Sequence, residues 1–384
     1  MKKLFFILCI FLLPGTFSFG QQNVGSIAKD PNYFPIGVWV QSPSNAVAYK
    51  SAGINMFVGM WGGLNQEKLD GLKKAGVKVI CDQNEFGLAN LKDTTIYAWM
   101  HGDEPDNAQM NRTTKQYDPC IDPAIIINSY HEIKKKDPSR PVFINLGQGV
   151  AYINYNGRGA CRGDIDKYKV STNGYLKACD IGSFDIYPVN NRDAESQNNL
   201  YYVPKGIDSL KSWTNYSKPV WCVIECTKID TRNPRKPTTQ EVKSEVWMAL
   251  IHGAKGFLYF CHSFVPPQDE AALLHDPVMI KAVKDINTQV YSLASVLNSP
   301  DTKGYATVSS SNTAVPVDIM TKNHSKADYI FAAGMRCGYT TATFNVTSGS
   351  SVEVLGEGRT INITDGKFSD EFIPYGVHLY KIRM

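Results

Sequence analysis

The chain has 384 residues, with 40 Lys and Arg against 36 Asp and Glu and a formal net charge of +4. A balance this even offers no basic field for nucleic acid, and no apolar run beyond the first twenty residues is long enough to cross a bilayer. The length suits one large barrel with a small partner domain better than a single small domain.

At the N-terminus Lys2 and Lys3 precede an apolar run, Leu4 to Leu13, that Pro14 and Gly15 interrupt. Ser18-Phe19-Gly20 sets small residues at the −3 and −1 positions of a cleavage site. This predicts a secretory signal peptide over 1–20 and an exported product, periplasmic or extracellular. Cys9 lies inside the apolar run rather than at the cleavage point, so a soluble product starting near Gln21 is expected, not a lipoprotein. In an oxidising compartment the remaining cysteines can pair. Cys120 and Cys161 sit in polar stretches and are the candidate disulfide, whereas Cys81, Cys222 and Cys261 lie in apolar runs and read as small buried hydrophobes. Cys222-x3-Cys226 is followed by no second close pair, so it is not a zinc-ribbon pattern.

Short apolar runs then recur in chain order: 34–40, 55–61, 78–82, 97–101, 142–146, 181–187, 220–225 and 256–261. Amphipathic stretches at 66–75, 123–136, 207–216 and 239–252 lie between them, and a last helix is predicted over 277–297. Several helices stop at Gly or before Pro, as at Ala75-Gly76 and Asp137-Pro138. Strict alternation of buried strand and helix predicts a parallel sheet wrapped by helices, and eight repeats predict a (β/α)8 TIM barrel over 30–298. A doubly wound sheet is the rival, but its Gly-rich phosphate loop is missing after the first strand, which ends Trp39-Val40-Gln41-Ser42-Pro43. From 299 to 384 the texture becomes rich in Thr, Ser, Val and Gly, with alternating runs such as 339–346, 351–355, 360–364 and 377–382. This predicts a small antiparallel β-sandwich domain.

In such a barrel the chemistry sits where strands end. The fourth strand runs Ile96-Tyr97-Ala98-Trp99-Met100-His101 into Gly102-Asp103-Glu104-Pro105, and the seventh runs Pro219-Val220-Trp221-Cys222-Val223-Ile224 into Glu225. Each delivers a Glu straight off an apolar strand, where desolvation is costly unless the charge is used or paired. Two carboxyls across a cleft, one protonated and one ionised, are what glycosidic cleavage requires. A Glu after strand four and a Glu after strand seven resemble glycoside hydrolase clan A, a group that includes cellulase-like, β-galactosidase-like and endo-β-glucanase families, and the resemblance spans the barrel.

That resemblance implies a retaining hydrolase of β-glycosidic bonds, with Glu104 as general acid/base and Glu225 as nucleophile. It also implies a hydroxyl from Tyr187, at the end of strand six, hydrogen-bonded to Glu225. The clan's usual Asn before the acid/base Glu is Asp103 here, which sets a charge beside Glu104. Other strand ends carry groups that bind hydroxyls or stack on sugars: Trp61, Gln83, Asn145, Gln148 and His262. Asp185 reads as facing away or capping a helix. No cofactor or metal is called for: the first strand lacks His-x-His and no His-Glu-x-x-His string occurs. The expected partner is a carbohydrate substrate, bound by a monomer. A non-catalytic glycan-binding protein on the same barrel is the alternative.

Overall fold

The computed structural model describes residues 30–155 and 164–383. The signal peptide and Cys161 lie outside the described residues. Cys120 is disulfide-bonded.

Eight parallel strands close a barrel: β1 (Ile36–Trp39), β2 (Met56–Val58), β3 (Lys78–Cys81), β4 (Ile96–Met100), β5 (Val142–Leu146), β6 (Ile181–Asp185), β7 (Val220–Glu225) and β8 (Phe257–Phe260), with β8 pairing back onto β1. Their order around the barrel is their order in the chain. Helices follow most strands: α1 (Ala46–Ser51), α2 (Gln66–Ala75), α3 (Glu85–Ala89), α4 (Pro123–Lys136), α5 (Tyr202–Trp213), α6 (Thr239–Ile251), α7 (Pro277–Ser292) and α8 (Ala294–Asn298). Between β5 and β6 the described residues form only short 3-10 turns.

Local chemistry explains the helix bounds. Asn65 caps α2 by accepting from Lys68 N, and Gly76 closes it at φ +65°, a left-handed conformation that glycine adopts without a Cβ penalty. Thr238 and Glu241 form a reciprocal capping box on α6, and Asp276-Pro277 opens α7. Two helices differ from expectation. The fifth starts at Tyr202 rather than 207, because Pro204 falls in the first turn, where a missing N–H costs nothing. The last predicted helix is interrupted at Leu293 into α7 and α8.

Side chains alternate across the barrel strands. Trp39, Met56, Val58, Ile80, Phe143, Trp221, Val223 and Leu258 fill the lumen, and Phe143 meets Trp221 with ring centroids 5.7 Å apart. The lumen is therefore packed, and only the strand ends above it are free for chemistry.

The C-terminal segment folds as two antiparallel sheets. One holds β9 (Ala306–Ser310), β12 (Thr340–Val346) and β15 (Lys367–Phe372); the other holds β10 (Val317–His324), β11 (Ala327–Gly334), β13 (Ser351–Val354), β14 (Arg359–Asn362) and β16 (Val377–Arg383). Phe344, Phe368 and Tyr380 lie at the centre of the sandwich. The sandwich packs on α6, where Trp247 meets Phe331 at 5.5 Å and Ser244 donates to Tyr375 O. That contact buries α6 on both sides and explains its nearly continuous apolar run Val246–Ile251. Among the described residues no helix is long and apolar enough to cross a membrane.

Candidate functional site

β4 and β5 deliver the first part of the site. Glu104 has φ +43°, a left-handed conformation that costs a non-glycine residue about 1 kcal/mol and persists where the surroundings enforce it. Its N–H donates to Asn145 O (3.1 Å) and its own carbonyl accepts from Asn107 N and the Gln109 amide, so the loop is bonded on both sides of the residue. Its carboxylate accepts from Asn107 Nδ2 (3.2 Å) and lies over Gly147, where a Cβ would come within 3.1 Å of it. Asn145 sits one alternation above Phe143 on the lumen side of β5, and its amide donates to Asp103 Oδ1 (3.0 Å). Gln148 accepts from Asn191 Nδ2 (2.9 Å), and Tyr155 lies near Glu104, Gln148 and Asn107.

β6 delivers the second part. Ile181, Ser183 and Asp185 alternate onto the lumen side, so Asp185 arrives at the mouth rather than facing away. It lies near Glu104 and accepts from the Tyr187 hydroxyl (3.1 Å). Burial pushes the Asp185 carboxyl well above the usual range, and the charges of Glu104 and Asp103 push it further. Asp185 is therefore favoured in its protonated form. Behind Glu104, Asp106 accepts from Gly147 N (2.9 Å) and from the Tyr168 hydroxyl (2.9 Å). Burial, then the charge of Glu104, raises Asp106 to about 7.

Glu225 has a different setting. The alternation that turns Trp221 and Val223 inward puts it on the lumen side of β7, yet its side chain is completely enclosed (0% exposed). Its carboxylate accepts from Val189 N (2.6 Å), Asn190 N (2.9 Å) and the Asn190 side-chain amide (2.5 Å), all from the loop between β6 and α5. Beside it stands Glu245 of α6, also 0% exposed, whose carboxyl oxygens are buried without a hydrogen-bond donor among the described residues. Burial, then the charge of Glu225, raises Glu245 well above the usual range, so Glu245 is favoured in its protonated form. The expected hydrogen bond of the Tyr187 hydroxyl to Glu225 is replaced by one to Asp185. The physical reason is the competition of three N–H donors for the Glu225 carboxylate.

The other candidates divide. Asp103, Asn145, Gln148 and Tyr187 gather at the mouth around Glu104 and Asp185. Gln83 does not: its amide donates to Ile133 O on α4, outside the barrel. His262 is buried, and its Nε2 faces the carbonyls of Trp39 (3.0 Å) and Val40 (2.9 Å), so that nitrogen carries the hydrogen and the ring is held in place. Trp61 is 60% exposed on the loop after β2, with its indole N–H on Glu270 Oε2 (3.1 Å). Asp106, Tyr155 and Tyr168 were not legible as site residues: they lie in irregular segments with no periodicity to orient them. Asp185 had a usable signal, the two-residue alternation from Ile181.

The molecule is thus a (β/α)8 barrel with a C-terminal β-sandwich and a cluster of carboxyls at the C-terminal mouth of the barrel. No family model matches the chain, and no curated protein matches it in sequence. Solved structures do resemble it in fold. One is a catalytic mutant of Gan42B, a GH42 beta-galactosidase from G. stearothermophilus, with 9% identity, 94% of this chain and 100% of that chain covered, and a TM-score of 0.59. Another is AmyP in complex with maltotriose, with 10% identity, 93% and 98% covered, and a TM-score of 0.55. A third is a putative alpha-galactosidase/melibiase from Bacteroides fragilis, with 9% identity, 92% and 79% covered, and a TM-score of 0.51. At these identities the likeness is one of fold.

Proposed function

We propose that this protein is a glycoside hydrolase that cleaves a poly- or oligosaccharide at the mouth of its barrel, with Glu104 and Asp185 as the working carboxyl pair. The observation that carries the reading is the gathering of acidic groups where β4 and β6 end: Glu104 over Gly147, Asp103 bonded by Asn145, and Asp185 bonded by the Tyr187 hydroxyl, with burial and the charges of Glu104 and Asp103 holding the Asp185 carboxyl high. Glycosidic cleavage needs a proton for the leaving oxygen and negative charge beside the sugar carbon. The pair supplies both: it gives its proton to the departing oxygen and is left as two carboxylates facing the positive charge that develops on the sugar. Water completes the cleavage, adding its hydroxyl to the sugar carbon and returning a proton to the pair. Asn145, Gln148 and Tyr155 line the same mouth and suit sugar hydroxyls. The barrels this chain resembles in fold include a beta-galactosidase and a maltotriose complex, which supports the choice of substrate class.

Retention at a β-linkage through Glu225 is the finer form of this reading. It requires the Val189 and Asn190 N–H groups to release that carboxylate into the mouth. Action outside the cytoplasm rests on the leader sequence, and the disulfide at Cys120 supports it. The enclosure of Glu225 favours one second reading, glycan binding without turnover.

A product-analysed screen over neutral polysaccharides, with Glu104→Gln and Asp185→Asn in parallel, separates these readings. Each substitution is expected to lower turnover roughly 10²- to 10⁴-fold. Equal product from wild type and both variants removes the pair from the mechanism. Glycan retention with no product moves the binding reading to the front.

A further inference from the structure

A file of rings leaves the carboxyl pair and crosses the mouth. Tyr187, whose hydroxyl is on Asp185, packs against Phe260 with centroids 5.2 Å apart. Phe260 packs against His262 at 5.2 Å and Phe264 at 6.2 Å, and His262 meets the edge of Trp61 at 6.4 Å. The file runs from the end of β6, over the end of β8, to the loop after β2, which stands opposite β6 in the barrel order. Its inner members are buried or half-buried, while its outer members are open to solvent: Trp61 is 60% exposed and Phe264 47%.

Exposed rings are common singly, but these two are held. The Trp61 indole N–H is fixed on Glu270, and His262, which both rings touch, is fixed on the carbonyls of Trp39 and Val40. Val40 itself has φ +37°, a strained conformation for a β-branched residue, and this turn of the chain leaves its carbonyl bonded to His262. A platform of fixed aromatic faces beside hydrogen-bonding groups is suited to the apolar face of a pyranose ring. Acidic groups flank the platform and the pair, namely Glu270, Asp269, Asp103 and Glu104, with His275 bonded to Asp269, while the Lys68 ammonium is taken up by the carbonyls of Trp61 and Gly63. Such a surface repels anionic sugars.

We propose that Trp61 and Phe264 form a distal subsite for a neutral saccharide chain that lies across the barrel mouth, several sugar units from the Glu104–Asp185 pair. The proposal deepens the hydrolase reading and rests on it for the direction of the chain. It makes the protein a reader of chain length, acting within or along a polymer rather than on a disaccharide.

The test is calorimetric binding to the full-length Glu104→Gln protein. The probes are cellohexaose, xylohexaose, mannohexaose and maltohexaose, each with its disaccharide, and a galacturonate hexamer as the anionic comparator. At least one neutral hexaose should bind ten times or more tighter than its disaccharide, and the galacturonate hexamer should not bind. Adding Trp61→Ala or Phe264→Ala should erase the preference for length, and Trp61→Tyr should retain part of it. Both rings are exposed, so an unchanged Tm verifies that the fold is intact. The subsite is overturned if no neutral hexaose binds, if hexaose and disaccharide bind alike, or if the Ala variants keep the preference. Binding that depends on Trp61, in a wild-type protein that cleaves none of these chains, upholds the subsite and overturns the hydrolase reading instead.

Discussion

Two groups of carboxyls, Glu104 with Asp185 at two strand ends and Glu225 at a strand end with Glu245 on α6, differ in what their surroundings exclude. Glu104 and Asp185 lie at the mouth, where Glu104 keeps partial exposure and the neighbours are amides, phenols and another carboxylate. Glu225 and Glu245 lie in a sealed space, where three N–H donors from one loop occupy the outer carboxylate. Asp185 and Glu245 are raised for the same reason, burial first and a neighbouring carboxylate second. The first group is open to solvent at the mouth; the second is enclosed and fastened to the loop after β6. A raised carboxyl is thus a signature of burial first, and access decides whether it is chemistry or architecture.

The largest effect that sharpens this comparison is expected from Glu225→Gln. One face of the new amide must point an N–H at Val189 N or Asn190 N, leaving a buried donor without an acceptor. The loss of stability should be about 1–3 kcal/mol, read as a lower Tm. Turnover at a temperature where the protein stays folded should remain within tenfold of wild type. Abolished turnover with an unchanged Tm would break the comparison and make Glu225 the nucleophile.

A smaller effect follows from the proton on the sealed pair. Burial lifts Glu225 from its ordinary 4.5 to about 7, against the N–H groups that pull it back. A carboxyl raised on folding stabilises the fold fully when protonated in both states, below pH 4.5, and that contribution is lost as the pH climbs through about 7. Glu245→Gln replaces a carboxyl that titrates with an amide that does not. The variant should therefore lose less Tm than wild type between pH 5 and pH 8. Parallel Tm–pH curves for the two proteins would show that no proton is held there.

The smallest effect lies far from both pairs, where His252 bridges the barrel and the sandwich. Its Nδ1 bonds Asp208 (2.8 Å) and its Nε2 bonds Asp318 (3.1 Å). Burial works against the charged ring, but the two carboxylates outweigh it and lift His252 from 6.5 to about 9. Its contribution is complete below pH 6.5 and lost as the pH rises through about 9. Both Asp side chains are well exposed, so solvent screening holds the effect of Asp318→Asn to under about 1 kcal/mol. Chemical denaturation should detect it at pH 6 and not at pH 10; an equal effect at both would mean the bridge carries no charge.

Much of the barrel was legible because its strands are buried on both faces and its helices carry strong caps. β5, β7, α2 and α4 stand at the bounds their apolar runs and stop signals imply. The 3-10 segment between β5 and β6 was not legible, since no periodicity marks residues that turn once and change direction. At the site, Glu104 was legible because an apolar strand runs straight into it. Its partner was not, because Asp185 and Glu225 both end lumen-facing alternations and parity cannot choose between them.

The sequence by itself determined the alternation of strands and helices, the change to a β-sandwich after 298, and the acidic strand ends at which charge would be costly. Those are short-range properties: period, caps and the price of desolvation. Only the tertiary structure decided which carboxyls gather. The loop after β6 turns Val189 and Asn190 onto Glu225, and α6 brings Glu245 near it, while the strained turn at Glu104 sets that carboxylate over Gly147 at the mouth. Each of these contacts joins residues far apart in the chain, where the competition among donors, charges and burial can be resolved only by the packed fold.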